Sequence, residues 1–111
     1  MKLASAETIK AYREAGWWGD ETFYDLFTQA AKAKAGATAL VDPPDREAFL
    51  GDAPRRLSWS ETADEAERYA AVFARRGLTR GDRIVMQMPN VVEGVAVYLA
   101  CAKLGVVVSP L

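Results

Sequence analysis

The stretch that comes nearest to a ligand site in this sequence is Met88-Pro89-Asn90, where a predicted strand gives way to a predicted helix. Open α/β sheets bind ligands at the carboxyl ends of their strands, and the N-terminus of a helix favours phosphate. A loop that cradles phosphate needs glycines, so that backbone amides can approach the anion. This turn has no glycine, and Pro89 has no amide donor. We therefore interpret Asn90 as the cap of the following helix, paired with Glu93 in a capping box, and not as a ligand.

The residue types needed for nucleophilic catalysis and metal binding are scarce. The sequence has no histidine, which removes the usual general base, the Ser-His-Asp and Cys-His systems and every imidazole ligand. Its single cysteine, Cys101, excludes an internal disulfide and a multi-cysteine zinc site. Because Cys101 lies within an apolar predicted helix, we expect an inert, packed thiol. The sequence assigns no catalytic, cofactor-binding or metal residue.

The charged residues also form no constellation that indicates a reaction. Three arginines flank a loop that carries acidic residues as well, so we expect solvated side chains and not an anion site there. These are Arg46, Arg55 and Arg56. Three carboxylates are expected on the solvated face of a helix; these are Asp64, Glu65 and Glu67. Asp82 is expected to cap its own turn.

Adjacent aromatic residues are a further candidate. Trp17 and Trp18 could form a platform for a ligand, but we expect one of them to pack on the body of the protein as an anchor.

The charge balance and the apolar segments of the sequence bear on its partners and its location. Fourteen lysines and arginines stand against fifteen acidic residues, so we expect no nucleic acid or anionic membrane as a partner. The N-terminus lacks the apolar core of a signal peptide, and no apolar run is long enough to span a bilayer. With one cysteine, a cytoplasmic location is expected.

The elements that must position these residues begin with a helical lead-in over residues 1–36. Ser5 is expected to cap a helix over residues 6–15 that ends at Gly16. Thr22 and Asp25 resemble a capping box that opens a second helix to about residue 35, stopped by Gly36. Its predicted core face is Phe23, Leu26, Phe27 and Ala30. Residues 37–60 are predicted to form a hairpin, with strands 38–41 and 55–59 joined by a Pro-rich polar loop.

Residues 58–111 are predicted to form an αβαβ unit. A capping box of Ser58 and Glu61 opens a helix that ends at Gly77. A strand over residues 83–88, a nearly all-apolar helix over 91–104 that ends at Gly105, and a strand over 106–109 follow. Strand, crossover helix and strand with short loops predict two parallel neighbours in one sheet. The predicted fold class is α/β, a partial parallel sheet with flanking helices plus a short β-hairpin.

Several of these segments match signature blocks of one family. Residues 57–61 (LSWSE) are similar to its Leu-Thr/Ser-Tyr-x-Glu block, and residues 102–111 (AKLGVVVSPL) to its Lys-Ala-Gly-…-Pro-Leu block. Residues 81–85 and 89–90 match its Gly-Asp-x-Val and Pro-Asn positions. By these blocks the chain resembles the adenylate-forming enzymes, which include acyl-CoA synthetases, aryl-acid AMP ligases, peptide synthetase adenylation domains and luciferases.

The resemblance implies the N-terminal part of the acyl-CoA synthetase large domain. It implies that the parent enzyme uses ATP and Mg²⁺ to form an acyl-adenylate and then passes the acyl group to coenzyme A. The phosphate loop, the adenine- and ribose-binding motifs and the catalytic lysine of that family lie beyond Leu111. We therefore expect a truncated domain that binds none of these cofactors by itself and is inactive. Its expected partners are the remainder of the parent domain and a second copy, through the C-terminal strand.

Two alternatives remain at this stage. The first is a non-catalytic α/β binding or interaction module derived from the same fold. The second is a small nucleotide-binding α/β protein of another family, which the missing glycine loop disfavours. Residues 12–18 are similar to the opening of aryl-acid and alicyclic-acid ligases, and favour such acids over long fatty acids.

Overall fold

A computed structural model describes residues 4–111, and these form five helices and four short strands. The helices are α1 (Ala6–Glu14), α2 (Phe23–Ala33), α3 (Arg46–Leu50), α4 (Trp59–Arg75) and α5 (Val92–Leu104). The strands are β1 (Thr38–Val41), β2 (Arg56–Ser58), β3 (Arg83–Met86) and β4 (Val107–Pro110).

The strands form two separate pairs. β1 and β2 are antiparallel, with Val41 opposite Arg56, which confirms the predicted hairpin. β3 and β4 are parallel, with Arg83 opposite Val107, and α5 connects them. The predicted α/β fold is confirmed.

Local capping sets where most helices begin and end. Ser58 accepts a bond from the Glu61 amide at 3.2 Å, and Glu61 accepts from the Ser58 amide at 2.7 Å, as the capping box predicts. The predicted box of Thr22 and Asp25 is present as well. The C-cap of α5 is Gly105, whose φ of 70° lies in the left-handed region that favours glycine.

The core lies on both sides of α5. On one side Leu99 packs with Phe27 and Ala66 of the neighbouring helices. On the other side Val97 and Cys101 pack against the β3–β4 pair. The nearly all-apolar sequence of α5 is thus explained, because the helix is sandwiched between layers.

Three predictions about the N-terminal half are wrong. The loop after β1 contains α3, and α2 ends at Ala33 without a left-handed residue at Gly36. Phe23 and Leu26 were expected in the core but are 66% and 53% exposed. α2 instead packs through Tyr24, Phe27 and Ala31, a face that shares only Phe27 with the predicted stripe.

The prediction that Trp17 or Trp18 packs on the body of the protein as an anchor is also wrong. Trp17 and Trp18 are both exposed, and the aromatic ring that they contact is Tyr12 of the adjoining α1.

None of the helices in residues 4–111 has the length and apolar character needed to span a membrane.

Candidate functional site

The turn that comes nearest to a ligand site in the sequence, Met88-Pro89-Asn90, lies at the carboxyl edge of the β3–β4 pair. Since the strands are parallel, Met86 and Pro110 end at the same edge, and residues 87–91 lead from there into α5. A groove of about 210 Å³ opens at this edge, and its lining includes Asn90, Val95 and Tyr98. The sequence therefore located the edge correctly.

The role predicted for Asn90 is wrong. The N-cap of α5 is Val91, which supplies no side-chain cap, and Asn90 is exposed in the segment before it. The Val92 amide instead donates to Asp42 Oδ1 at 2.8 Å. The cap of α5 thus comes from the residue that follows β1, because the hairpin brings a buried carboxylate onto the first turn of the helix.

This cap determines what the helix N-terminus can bind. A phosphate at α5 would have to displace the Asp42 carboxylate, which already occupies the favourable end of the helix dipole. Pro89 also removes one amide from the approach. The edge therefore does not fit the phosphates of ATP.

Asp42 is held in turn by a buried arginine. Arg46 is only 3% exposed. Its Nη1 donates to Asp42 Oδ2 and to Glu93 Oε2, both at 2.8 Å. Its remaining N–H groups form forked bonds with Asp52, at 2.9 and 3.0 Å, and with Glu93 Oε1 at 2.8 Å. The expectation of a solvated Arg46 is wrong, because its five N–H groups all meet carboxylates.

The ionic cluster extends to α4 through Arg55. Arg55 donates to Glu65 Oε1 at 2.5 Å and to Glu93 Oε1 at 3.2 Å. Glu65 also pairs with Arg68 at 2.9 Å, so it is not the freely solvated carboxylate that the sequence indicated. The cluster joins the hairpin region, α3, α4 and α5. We refer to Asp42, Arg46, Asp52, Arg55, Glu65, Arg68 and Glu93 as the ionic cluster.

The electrostatics of the ionic cluster argue against acid–base chemistry. The Arg46 guanidinium lowers the pKa of Glu93 to about 2 and also lowers the pKa of Asp52. A carboxylate with so low a pKa is a weak base at neutral pH. Within residues 4–111, no group of three acidic or thiol side chains is arranged to hold a metal ion. The carboxylates of the ionic cluster are paired with arginines and do not fit Mg²⁺. The ionic cluster therefore stabilises the packing of the elements that it joins.

A second polar contact joins α2, α4 and α5. Glu67 accepts a 2.6 Å bond from the Tyr24 hydroxyl and another from Lys103 Nζ. Burial, together with the bond to Glu67, raises the pKa of Tyr24 to about 12. Lys103 lowers the pKa of Glu67, so this carboxylate too is engaged in packing and not merely solvated.

Cys101 and Asp82 take the positions predicted for them. Cys101 is buried, and burial raises the pKa of its thiol, which disfavours a nucleophilic thiolate. Asp82 accepts a 2.7 Å bond from the Thr79 amide and closes its own turn.

Comparison with known proteins finds similarity to much longer enzymes. The family model described as "AMP-binding enzyme" matches residues 27–111. The chain is 34% identical to the medium-chain fatty-acid–CoA ligase of Escherichia coli over 101 residues, 91% of the chain and 16% of the relative. It is 30% identical to the salicyl-AMP ligase / salicyl-S-ArCP synthetase of Mycobacterium tuberculosis over 102 residues, 92% of the chain and 17% of the relative.

A solved structure agrees with the sequence relatives. The apo structure of MbtA from Mycobacterium smegmatis superposes with a TM-score of 0.79 at 28% identity, over 97% of the chain and 19% of MbtA. The chain thus spans less than a fifth of each of these relatives.

Proposed function

The chain belongs to the AMP-binding enzyme family, and on that premise we propose that it is the N-terminal α/β unit of an AMP-forming acid ligase. In the reaction, a carboxylate attacks the α-phosphorus of ATP, the bond to diphosphate breaks, and an acyl-adenylate forms. A thiol then attacks the acyl carbon and AMP leaves. The observation that carries the proposal is the continuous family match over residues 27–111.

We propose coenzyme A as the thiol. The relative from Escherichia coli, 34% identical, is named as a CoA ligase. ATP and Mg²⁺ would supply the activated phosphate for such a reaction. The side chains of residues 4–111 fit neither group, so these residues are not proposed to bind them. We also propose a cytoplasmic location, because the single cysteine stays reduced there.

The unit's own contribution is structural. Asp42 and the ionic cluster hold the hairpin region against the first turn of α5, so the groove at the carboxyl edge of β3 and β4 keeps its shape. The 111-residue chain by itself should neither bind ATP tightly nor form acyl-adenylate, since the helix N-terminus that faces this edge is already capped by a carboxylate.

The test has two arms. Isothermal titration of the 111-residue chain with ATP and Mg²⁺ should show no saturable heat, with the salicyl-AMP ligase of Mycobacterium tuberculosis as the positive control. Saturable micromolar binding of ATP would overturn the proposal that this unit contributes only structure. In the second arm, the product of the complete reading frame should catalyse ATP–diphosphate exchange that depends on an added carboxylic acid and should release AMP with CoA. Absence of exchange with aryl, alicyclic, short-chain and medium-chain acids alike would overturn the ligase proposal.

A further inference from the structure

The segment that contains α3 and connects the two strands of the hairpin buries very little of its surface. Within residues 43–54, which the structure describes in full, Arg46 is the only buried residue. The large apolar side chains of this segment, Phe49 and Leu50, are each 45% exposed. The hydrophobic effect, which stabilises most packed elements, therefore contributes little to holding the segment in place. We refer to residues 43–54 as the strap.

The backbone hydrogen bonds of the strap are local. Three of its amides donate to carbonyl oxygens three or four residues earlier, at 2.9–3.1 Å; these are the amides of Arg46, Ala48 and Gly51. At the base of the strap, the Asp42 amide donates to the Arg55 carbonyl oxygen at 2.9 Å and closes the loop. The strap is thus a closed loop that projects from the end of the hairpin.

One side chain of the strap bonds it to α5. The Arg46 guanidinium donates to Oε1 and Oε2 of Glu93, both at 2.8 Å. It also donates to Asp42 at the base of the strap, and to Asp52 within the strap. Within residues 4–111, the Arg46–Glu93 pair is the only ion pair or side-chain hydrogen bond from the strap to a helix or strand outside it. We call this pair the latch.

An ionic latch resists opening less than an apolar contact does. When the strap opens, Arg46 and Glu93 return to water, and their hydration offsets much of the attraction that is lost. α3 has no buried apolar side chain, so opening exposes no buried apolar side chain of α3. Asp42 keeps its bonds to the amides of Val92 and Arg55, so the base of the strap stays joined to α5. The strap therefore has the features of a segment that opens locally while the core stays folded.

The strap borders the segment that leads from the carboxyl edge of β3 into α5. Leu50 and Asp52 of the strap line a groove of about 330 Å³. The other side of its lining includes residues of that leading segment; these are Met88, Pro89 and Val91. The position of the strap therefore affects access to these residues.

We propose that the strap is a gate, which moves away from α5 when the latch releases and opens the groove beside residues 88–91 while the core stays folded. A helix as short as α3, with five residues, is not stable without tertiary contacts. The open strap is therefore an unstructured loop that remains closed at its base. The proposal does not depend on the ligase reaction and is tested on the 111-residue chain.

Hydrogen exchange of the natural chain tests whether the strap opens independently. Exchange is followed by NMR at urea concentrations below the unfolding midpoint. The Gly51 amide should exchange through an opening that depends little on urea, because this opening exposes little surface. The amides of Leu99 and Ala100 in α5 should exchange through an opening that urea promotes strongly. Equal protection and equal urea dependence of the two groups would show that the strap opens only with global unfolding, and would overturn the proposal.

Substitutions test the latch. Glu93→Gln keeps the size of the side chain and removes its charge, so the protection of the Gly51 amide should fall at least tenfold. The matched control Glu47→Gln removes the charge of an exposed strap residue and should leave this protection within twofold. Val97→Ala, in the core beside β3 and β4, should lower the protection of the α5 amides and leave that of Gly51 within twofold. Unchanged Gly51 protection in Glu93→Gln, or an equal loss in either control, would overturn the role of the latch.

Thiol labelling tests access to the groove. Val91 lines the groove and is 5% exposed, whereas Cys101 is 1% exposed in the core. In the variant Val91→Cys, the new thiol should react with Ellman's reagent faster than Cys101, because strap opening exposes it without global unfolding. Adding Glu93→Gln should speed this reaction at least tenfold. A new thiol that reacts no faster than Cys101, or at a rate that Glu93→Gln does not change, would overturn the gate.

Discussion

Asp42 Oδ1 accepts a 2.8 Å hydrogen bond from the backbone amide of Val92, fifty residues further along the chain. This bond joins the end of β1 to the first turn of α5. It replaces the local cap that Asn90 would have provided, and it places a negative charge where the helix dipole favours one. The other carboxylate oxygen of Asp42 accepts from Arg46 and from the Arg55 amide, so one buried side chain joins the hairpin region to the βαβ unit.

The first prediction concerns Asp42 itself. Asp42→Ala leaves the Val92 amide without its cap and removes one carboxylate from a buried arginine, so we expect a loss of about 3–5 kcal/mol in the free energy of unfolding. Urea denaturation followed by circular dichroism measures it. The control is Asp45→Ala, since Asp45 is exposed and makes no side-chain cap bond within the described chain. It should change stability by less than about 0.5 kcal/mol. Equal effects of the two substitutions would contradict the assigned role.

The second prediction concerns pH and Glu93. Arg46 lowers the pKa of Glu93 to about 2 in the folded chain, whereas the unfolded chain has a value of about 4.3. A lowered folded pKa contributes stability that is fully present above the unfolded value and is lost as the pH falls toward the folded value. The contribution of Glu93 should therefore decline between about pH 5 and pH 2, by about 2 kcal/mol after allowance for solvent screening at its partly exposed side.

Urea denaturation across this pH range tests the prediction. The stability difference between the natural chain and Glu93→Gln should shrink as the solution is acidified. Asp64→Asn, on an exposed position of α4 outside the ionic cluster, serves as the control. A difference for Glu93→Gln that stays constant down to pH 2.5 would contradict the ion pairing.

The third prediction concerns the end of α5. Gly105 has a φ of 70°, and a Cβ atom there would lie 2.9 Å from Cγ of Arg80. Gly105→Ala should therefore lower the free energy of unfolding by about 1–2 kcal/mol, because an L side chain is strained in this region. Gly36 lies in open space and outside the left-handed region, so Gly36→Ala should have a much smaller effect. Thermal denaturation of the two variants side by side gives the comparison; a ranking in the opposite order would disprove the structural reason.

The fourth prediction concerns the thiol. Cys101 is 1% exposed within the core beside β3 and β4, and burial raises its pKa. The native chain should therefore react with Ellman's reagent only slowly, and the rate should rise steeply when urea unfolds the chain. Rapid stoichiometric reaction in native buffer would show that the thiol is accessible and that the packing around α5 is different.

Much of the fold and the family could be predicted because the relevant chemistry is local. The capping boxes at Thr22 and Ser58 depend on residues three positions apart, and Gly105 ends its helix through its own backbone conformation. The blocks at residues 57–61 and 102–111 indicated the adenylate-forming family, and the family comparison confirms it. The carboxyl edge of β3 and β4 could also be located from local sequence, because this edge lies where a strand is followed by a helix.

What the sequence by itself determined is therefore the order of the elements, their caps and the parallel pairing of β3 with β4. Only the tertiary structure decided which groups meet at the site. Arg46 and Glu93 are 47 residues apart, and Asp42 and Val92 are 50 apart, so nothing in the spacing of the sequence relates them. The physical reason is that a buried charge is stable only beside its partners, and those partners come together only when the hairpin region packs against α5.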